Sequence, residues 1–250
     1  QTAALISGIP IEMVTQTQRD ELGKRANHGL NYDLGYKTFA RYYQISETKA
    51  KFIVDRYHKS YPGIREGHAK IREALTKNNR TLANCYGRKR TFVGRWGHEL
   101  FKVAYSYIPQ STIAEKLNQD GIVFLYERQD LFKDVIFLNA VHDNILYEVP
   151  LDLGCNGIID VALAMKSSLE RAINWDSKSF YIPVDTEVGF FWDKTDGSPN
   201  KMMKWKSSVL TEDNKPRLAE ELHIFINEGI RRGEDIGGLD RELHEVYQSH

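Results

Sequence analysis

Apolar positions in the first third of the chain recur at three- and four-residue spacing, the period of an amphipathic helix. Thr17 to Tyr43 carries that spacing. Ser46 opens a second helix that runs amphipathically through Tyr57, with Lys49 where a capping box would place Glu or Gln. Tyr61-Pro62-Gly63 predicts a turn, and Ile64 to Leu75 a third helix ended by Lys77-Asn-Asn-Arg80. The pattern then shortens. Thr81 to Val93 reads as two short strands around Gly87. Glu99 to Asp120 predicts a helix interrupted near Pro109, and Val123 to Arg128 begins another element. Val135 to Val149 is two apolar, β-branched runs flanking His142-Asp143-Asn144, which predicts a β-hairpin with those three residues at its tip. Ile158 to Ile173 predicts an apolar-striped helix and Tyr181 to Trp192 a strand. After Asp193 the residues Lys-Thr-Asp-Gly-Ser-Pro-Asn-Lys suggest a linker, and Pro216 to Gln248 a charged helical tail. Helices interleaved with short antiparallel strands make an α+β chain.

With 250 residues, 41% hydrophobic and 27% charged, the chain is long enough for one large domain or two closely joined ones. No apolar run approaches the ~20 residues that span a bilayer, so no membrane partner is expected. The opening Gln-Thr-Ala-Ala-Leu-Ile-Ser-Gly lacks an initiator Met and a basic region before an apolar core. It reads as a start in mid-sequence and not as a signal peptide. Cys85 and Cys155 fit no metal spacing and are expected to be reduced thiols in a cytoplasmic protein.

A net charge of zero argues at first against a nucleic-acid partner. The distribution reverses that argument. From Lys70 to Lys102 nine bases face only Glu73 and Glu99, whereas acids outnumber bases from Glu212 onward. A basic central stripe with an acidic tail suits phosphate on one face.

Lys24, His28 and Tyr32 stand four residues apart and line one helix face, with Asn31 beside them. Asn, His, Gly and Asp are poor helix formers, so stability alone does not account for Asn27-His-Gly-Leu-Asn-Tyr-Asp33. The plain alternative is a solvated helix with a weak Asp20–Lys24 ion pair. Asp143, fixed at a rigid turn, could hold a metal ion. A lone His-Asp-Asn is otherwise a polar hairpin turn.

Taken in order, these segments resemble the family A (bacterial DNA polymerase I-like) DNA polymerases, in a phage-type variant. Gly23 to Tyr32 is similar to that family's motif B, and His142-Asp143-Asn144 to its motif C, which is usually His-Asp-Glu. Tyr86-Gly87-Arg88-Lys89-Arg90 resembles its Gly-Arg-Arg segment, and Pro109-Gln110-Ser111-Thr112 its Gln-Gly-Thr segment. The resemblance covers about residues 1–195 and implies helical fingers over 1–98, the C-terminal half of an antiparallel palm over 99–195, and a charged extension over 196–250.

The resemblance also implies roles. Lys24 would grip the phosphates of an incoming dNTP, His28 would pack on its sugar and base, and Tyr32 would stack near the nascent pair. Asp143 would be a metal ligand for a two-Mg²⁺ nucleotidyl transfer, with His142 supporting the primer terminus. Arg88, Lys89, Arg90, Gln110, Lys102 and Ser106 would contact the DNA primer-template. The family's motif B arginine stands four residues before the lysine. That position is Asp20 here, and Arg19 is one residue away, about 100° around an α-helix. Motif A, which supplies the other catalytic aspartate, is not found. A second polypeptide carrying thumb and motif A is therefore expected, unless the chain is a truncation. If the chain is phage-encoded, the host cytoplasm is its compartment. The alternative is a non-catalytic module that only binds primer-template.

Overall fold

The computed structural model describes residues 1–195, 197–198 and 200–231. The helices are α1 (Thr2–Ser7), α2 (Gln16–Gln18), α3 (Arg25–Asn31), α4 (Tyr36–Tyr43), α5 (Glu47–Ser60), α6 (Pro62–Lys77), α7 (His98–Lys116), α8 (Phe124–Glu127), α9 (Gln129–Phe132), α10 (Gly154–Leu169) and α11 (Lys215–Arg231). Two π-helical segments, Arg19–Lys24 and Leu117–Val123, join α2 to α3 and α7 to α8. The strands pair only as antiparallel hairpins among the described residues: β1 (Thr81–Ala83) with β2 (Lys89–Thr91), β3 (Ile136–Val141) with β4 (Asn144–Glu148), β5 (Ile173–Trp175) with β6 (Lys178–Phe180), and β7 (Thr186–Val188) with β8 (Met203–Trp205). The class is α+β, with the strands in four hairpins. The chain divides into two compact units, residues 1–112 and 113–250.

In the first unit, the helical stretch expected from Thr17 to Tyr43 is two runs, α2 through the π-helical segment to α3, and then α4. Thr15 starts it with a reciprocal cap: its hydroxyl accepts from the Gln18 N–H (3.2 Å) and the Gln18 side chain accepts from the Thr15 N–H (3.0 Å). The break falls at Tyr32–Gly35, where Asp33 takes φ 65° and Leu34 folds back so that its N–H reaches the Gly29 carbonyl (2.9 Å). A Cβ on Gly29 would stand 2.8 Å from Leu34 Cδ2, so a larger residue there would have to push that leucine side chain aside. Ala26 and Leu30 of α3 are buried with Phe39, Ala40, Ala50, Ile53 and Tyr57 in one apolar cluster.

The expected helix beginning at Ser46 is α5, and the Ser46 hydroxyl accepts from the Lys49 N–H (3.2 Å). Pro62, read as part of a turn, is the first residue of α6, where its missing N–H costs nothing. β1 and β2 turn at Gly87 (φ 81°), as the spacing predicts.

The expected interruption at Pro109 does not occur. α7 runs through it, because the helix is held on both sides of the proline. Leu100, Ala104 and Tyr107 pack with Leu75, Leu82 and Phe92, and Thr112 is buried one turn beyond. Pro109 itself is exposed, and one lost hydrogen bond is the local cost.

In the second unit, α10 is the central helix. Ile158, Ile159 and Ala162 pack against Trp205, Leu210, Leu218, Leu222 and Ile226, while Val161, Met165 and Leu169 pack against Leu125, Phe132 and Val135. The expected linker after Asp193 is instead the loop of the β7–β8 hairpin, registered Thr186↔Trp205 and carrying a Glu187–Lys204 cross-strand pair at 3.3 Å. The tail expected to stand apart is built into this core as far as Arg231. Leu218, Leu222 and Ile226 form an i, i+4, i+8 stripe that the surrounding charges obscured. The remainder of that tail, from residue 232, lies outside the described residues, as do residues 196 and 199. The strand expected over Tyr181–Trp192 shrinks to Thr186–Val188, and Ile173, read as the end of a helix, begins β5.

Candidate functional site

The face of Lys24, His28 and Tyr32 is built as the four-residue spacing predicts, and the π-helix adds to it. A π-turn closes on i→i+5, so residues five apart stack as residues four apart do in an α-helix. Arg19 and Lys24 are the first and last residues of that segment. On a π-turn the five-residue spacing brings Arg19 nearer the lysine's face than an α-helix would, while the contact that Lys24 makes is with Asp20, four residues back.

The side chains on this face are partnered. Lys24 Nζ lies 2.6 Å from Asp20 Oδ1, the Gln16 amide donates to Asp20 Oδ2 (2.8 Å), and Arg19 Nη1 donates to Gln16 Oε1 (3.3 Å). The bonds from Lys24 and Gln16 hold the Asp20 carboxyl below the usual carboxylate range. His28 meets the Tyr32 ring edge-on, centroids 4.8 Å apart. Burial raises the Tyr32 phenol above its usual value.

The end of α3 is anchored by residues that the sequence did not single out. The Asn31 side chain accepts from Tyr57 Oη (2.8 Å), and the Asn31 carbonyl accepts from His68 Nε2 (2.8 Å). His68 is 4% exposed and stacks on Tyr105 (3.9 Å, 12°), whose hydroxyl accepts from Arg72 (2.7 Å). Asp33, next in the turn, pairs with Arg65 and lies 3.4 Å from His98 Nε2. No periodicity marks His68, because its role depends on residues 37 positions apart in sequence.

His68 gives this unit an acid-sensitive point. Desolvation pushes its imidazole below the usual 6.5, outweighing the opposing bond to Asn31, and burial acts on His58 in the same direction. A histidine depressed in the folded state is neutral in both states above 6.5. As pH falls below that value the unfolded chain takes up the proton first, so stability is lost towards the folded value. The unit's melting temperature should fall from about pH 6.5 downward, and His68→Gln should flatten that slope in thermal unfolding measured from pH 7.5 to 5. An unchanged slope would remove His68 as the cause.

The basic loop is likewise held by one buried residue. Asn84, 3% exposed, accepts at its side-chain oxygen from the N–H groups of Tyr86 and Arg88 (3.0 Å each). Tyr107 Oη donates to the Arg88 carbonyl (2.7 Å). Arg88, Lys89 and Arg90 are exposed, and Arg90 lies over the rings of Phe92 and Tyr107 at 5.0 and 5.7 Å. Because α7 is continuous, Lys102, Ser106 and Gln110 stand at i, i+4 and i+8 on one face. Lys102 pairs with Glu99 (3.3 Å), the Ser106 hydroxyl donates to the Val103 carbonyl (3.1 Å), and Gln110 is exposed.

In the second unit, Val141↔Asn144 closes the β3–β4 ladder, leaving a two-residue turn of His142 and Asp143. Asn144, expected at the tip, is the first strand residue. His142 takes φ 56°, a left-handed conformation that histidine tolerates better than most residues. Both turn residues are exposed, and Asn144 Nδ2 donates to Asp143 Oδ1 (3.0 Å). Beneath the turn, the second π-helix brings Gly121 against Ile145 of β4 so closely that a Cβ there would collide with Cδ1. The hairpin is thus seated on a glycine that leaves room for it.

Asp143 fits a magnesium ion chemically. It is an exposed carboxylate of hard oxygens, and Mg²⁺ takes one or two carboxylates with substrate oxygens and waters. No group of three or more His, Cys, Asp or Glu suited to a metal occurs among the described residues. No described helix is long and apolar enough to cross a membrane.

Residues 1–194 match DNA polymerase family A. DNA polymerase I of Aquifex aeolicus is 27% identical over 194 residues, which are 75% of this chain and 31% of that protein. The thermostable DNA polymerase I of Thermus caldophilus is 26% identical over 195 residues, 76% of this chain and 22% of that protein. The chain thus spans about a third or less of these relatives. The POL domain of Pol1 from M. smegmatis, solved with DNA primer-template and dNTP, aligns with a TM-score of 0.60 at 19% identity, covering 72% of this chain and 31% of that one. At that identity the likeness is one of fold. The family match extends over most of the chain and includes both the π-helical cationic face and the His142–Asp143 turn: this chain belongs to DNA polymerase family A.

Proposed function

We propose that this chain supplies the nucleotide-binding helix and one metal-binding carboxylate of a template-directed DNA polymerase whose other catalytic acid lies outside these 250 residues, on a second polypeptide or on a part of the same protein lost by truncation. The observation that carries the reading is the exposed Asp143 at a tight hairpin turn, downstream of a helix face bearing Arg19, Lys24, His28 and Tyr32. In this reading residues 1–98 act as fingers and 99–195 as part of a palm, with Met203–Arg231 a buttress on α10. Lys24 and Arg19 bind the dNTP phosphates, one as a point charge and the other as a planar fork. His28 and Tyr32 pack on the sugar and the nascent pair. Arg88, Lys89 and Arg90 contact the backbone of the primer-template, and Lys102, Ser106 and Gln110 offer donors to its primer end. His142 supports the primer terminus. Asp143, oriented by the Asn144 amide, would hold Mg²⁺, which neutralises charge developing on the transferred phosphate.

Two features favour a further polypeptide segment beside this one. One carboxylate offers too few protein ligands to hold two metal ions side by side. In addition, β3 pairs on one edge only among the described residues, and its Ile136 and Leu138 are 58% and 51% exposed. An apolar strand with a free edge is a template for another strand. Purified alone, the chain should extend no primer with Mg²⁺ or Mn²⁺, and adding a polypeptide that carries motif A should restore extension. Asp143-dependent synthesis by the chain alone would show that the centre is not split. Asn144 in place of the family's acid keeps a second reading open, a module that only clamps primer-template. Such a module would bind DNA with no requirement for Asp143.

A further inference from the structure

We infer that Asp20 is a built-in competitor of the nucleotide: its carboxylate occupies the phosphate-gripping end of Lys24 and must be displaced before a triphosphate binds. The inference rests on the reading of Lys24 as a phosphate ligand.

The geometry is an open run of four side chains. Asp20 Oδ1 sits 2.6 Å from Lys24 Nζ, and Oδ2 accepts from the Gln16 amide at 2.8 Å. The oxygen of that same amide accepts from Arg19 at 3.3 Å. Both cations of the face are therefore tied, directly or through Gln16, to a single carboxylate. One Asp20 oxygen makes the ion pair with Lys24 and the other accepts from Gln16, so the carboxylate is held between the two side chains. The Asp20 side chain remains 39% accessible and that of Lys24 64%, so a ligand can reach the pair and exchange with it.

The consequence is electrostatic. A phosphate on Lys24 takes the place of Asp20 and then stands about one ion-pair length beyond it. Two unit negative charges at about 5 Å in a water-like dielectric repel by roughly a fourfold factor in an equilibrium constant. The charge on Asp20 thus lowers affinity for any polyphosphate at this face. Releasing Asp20 also frees Gln16, and with it the guanidinium of Arg19, so one displacement exposes both cations.

The test is binding of a fluorescent deoxynucleoside triphosphate to the full chain at low ionic strength, followed by anisotropy. Asp20→Asn keeps the size and a hydrogen-bonding side chain but removes the charge. It should tighten binding by about fourfold, with the gain shrinking as salt rises. Asp20→Glu, which keeps the charge, should bind like the unaltered chain. Lys24→Ala should weaken binding, and adding Asp20→Asn to it should bring little further gain, because the competition acts through the lysine. If Lys24→Ala weakens binding but Asp20→Asn leaves it unchanged or weaker, Asp20 is not a competitor and the inference is overturned, while the phosphate role of Lys24 stands. If Lys24→Ala has no effect, that role and the inference fall together.

Discussion

Asp143→Asn is expected to stop nucleotide incorporation by the assembled enzyme while primer-template binding persists. A divalent ion held by Asp143 would stabilise negative charge on the transferring phosphate, an effect worth several kcal/mol, or about a thousandfold in rate. Ground-state DNA binding draws mainly on phosphate contacts by Lys and Arg, which the substitution leaves alone. The fold should tolerate it. Asp143 is exposed in a two-residue turn, and asparagine suits turns as well as aspartate does. Single-turnover extension with a labelled primer, in the presence of a polypeptide carrying motif A, measures the rate. Anisotropy of the same primer-template measures binding. Undiminished incorporation would remove Asp143 from the metal site. Loss of binding with little loss of rate would favour the clamp reading.

Lys24→Ala is the second large effect. Loss of one charged donor to the transferring phosphates should lower kcat/KM for dNTP by about 2–4 kcal/mol. Stability should hardly change, since the side chain is mostly exposed and its partner Asp20 remains in contact with water. Steady-state kinetics at saturating primer-template separate the two interpretations of this residue. If primer-template affinity falls and nucleotide kinetics do not, Lys24 contacts the DNA backbone and the helix face has been assigned the wrong ligand. Arg19→Ala should behave in the same direction if the π-helix brings it to the same face, and this makes the pair a direct check on the five-residue register.

Much of the site was legible before any tertiary information. The four-residue spacing of Lys24, His28 and Tyr32 specifies a shared face wherever a helix forms, because helical geometry is local. The β-branched runs around His142-Asp143 specify a hairpin for the same reason, and strand pairing then sets both turn residues outward. The Tyr86–Arg90 turn is similarly local, closed by Gly87 and by Asn84 two to four residues away.

Three of the misreadings involve partners distant in sequence. Pro109 argues locally for a helix end, but packing of Ala104 and Tyr107 against Leu75, Leu82 and Phe92 carries α7 through it. The polar run after Asp193 argues for a linker, yet β7 and β8 pair across it. A charged tail argues for a separate extension, yet its Leu218, Leu222 and Ile226 complete the core around α10. In each case tertiary burial outweighed a local signal worth only a few kcal/mol.

The sequence by itself determined which residues are candidates for the chemistry, the order in which they occur, and the local frames that present them, since turn chemistry and periodicity act over a few residues. Only the tertiary structure decided the register of Arg19 against Lys24, the anchoring of α3 by His68 and Tyr57, and the seating of the Asp143 hairpin over Gly121. A π-turn in place of an α-turn, a buried histidine and a glycine contact leave no periodic trace. They follow from how separate elements pack, and packing is decided by contacts between residues far apart along the chain.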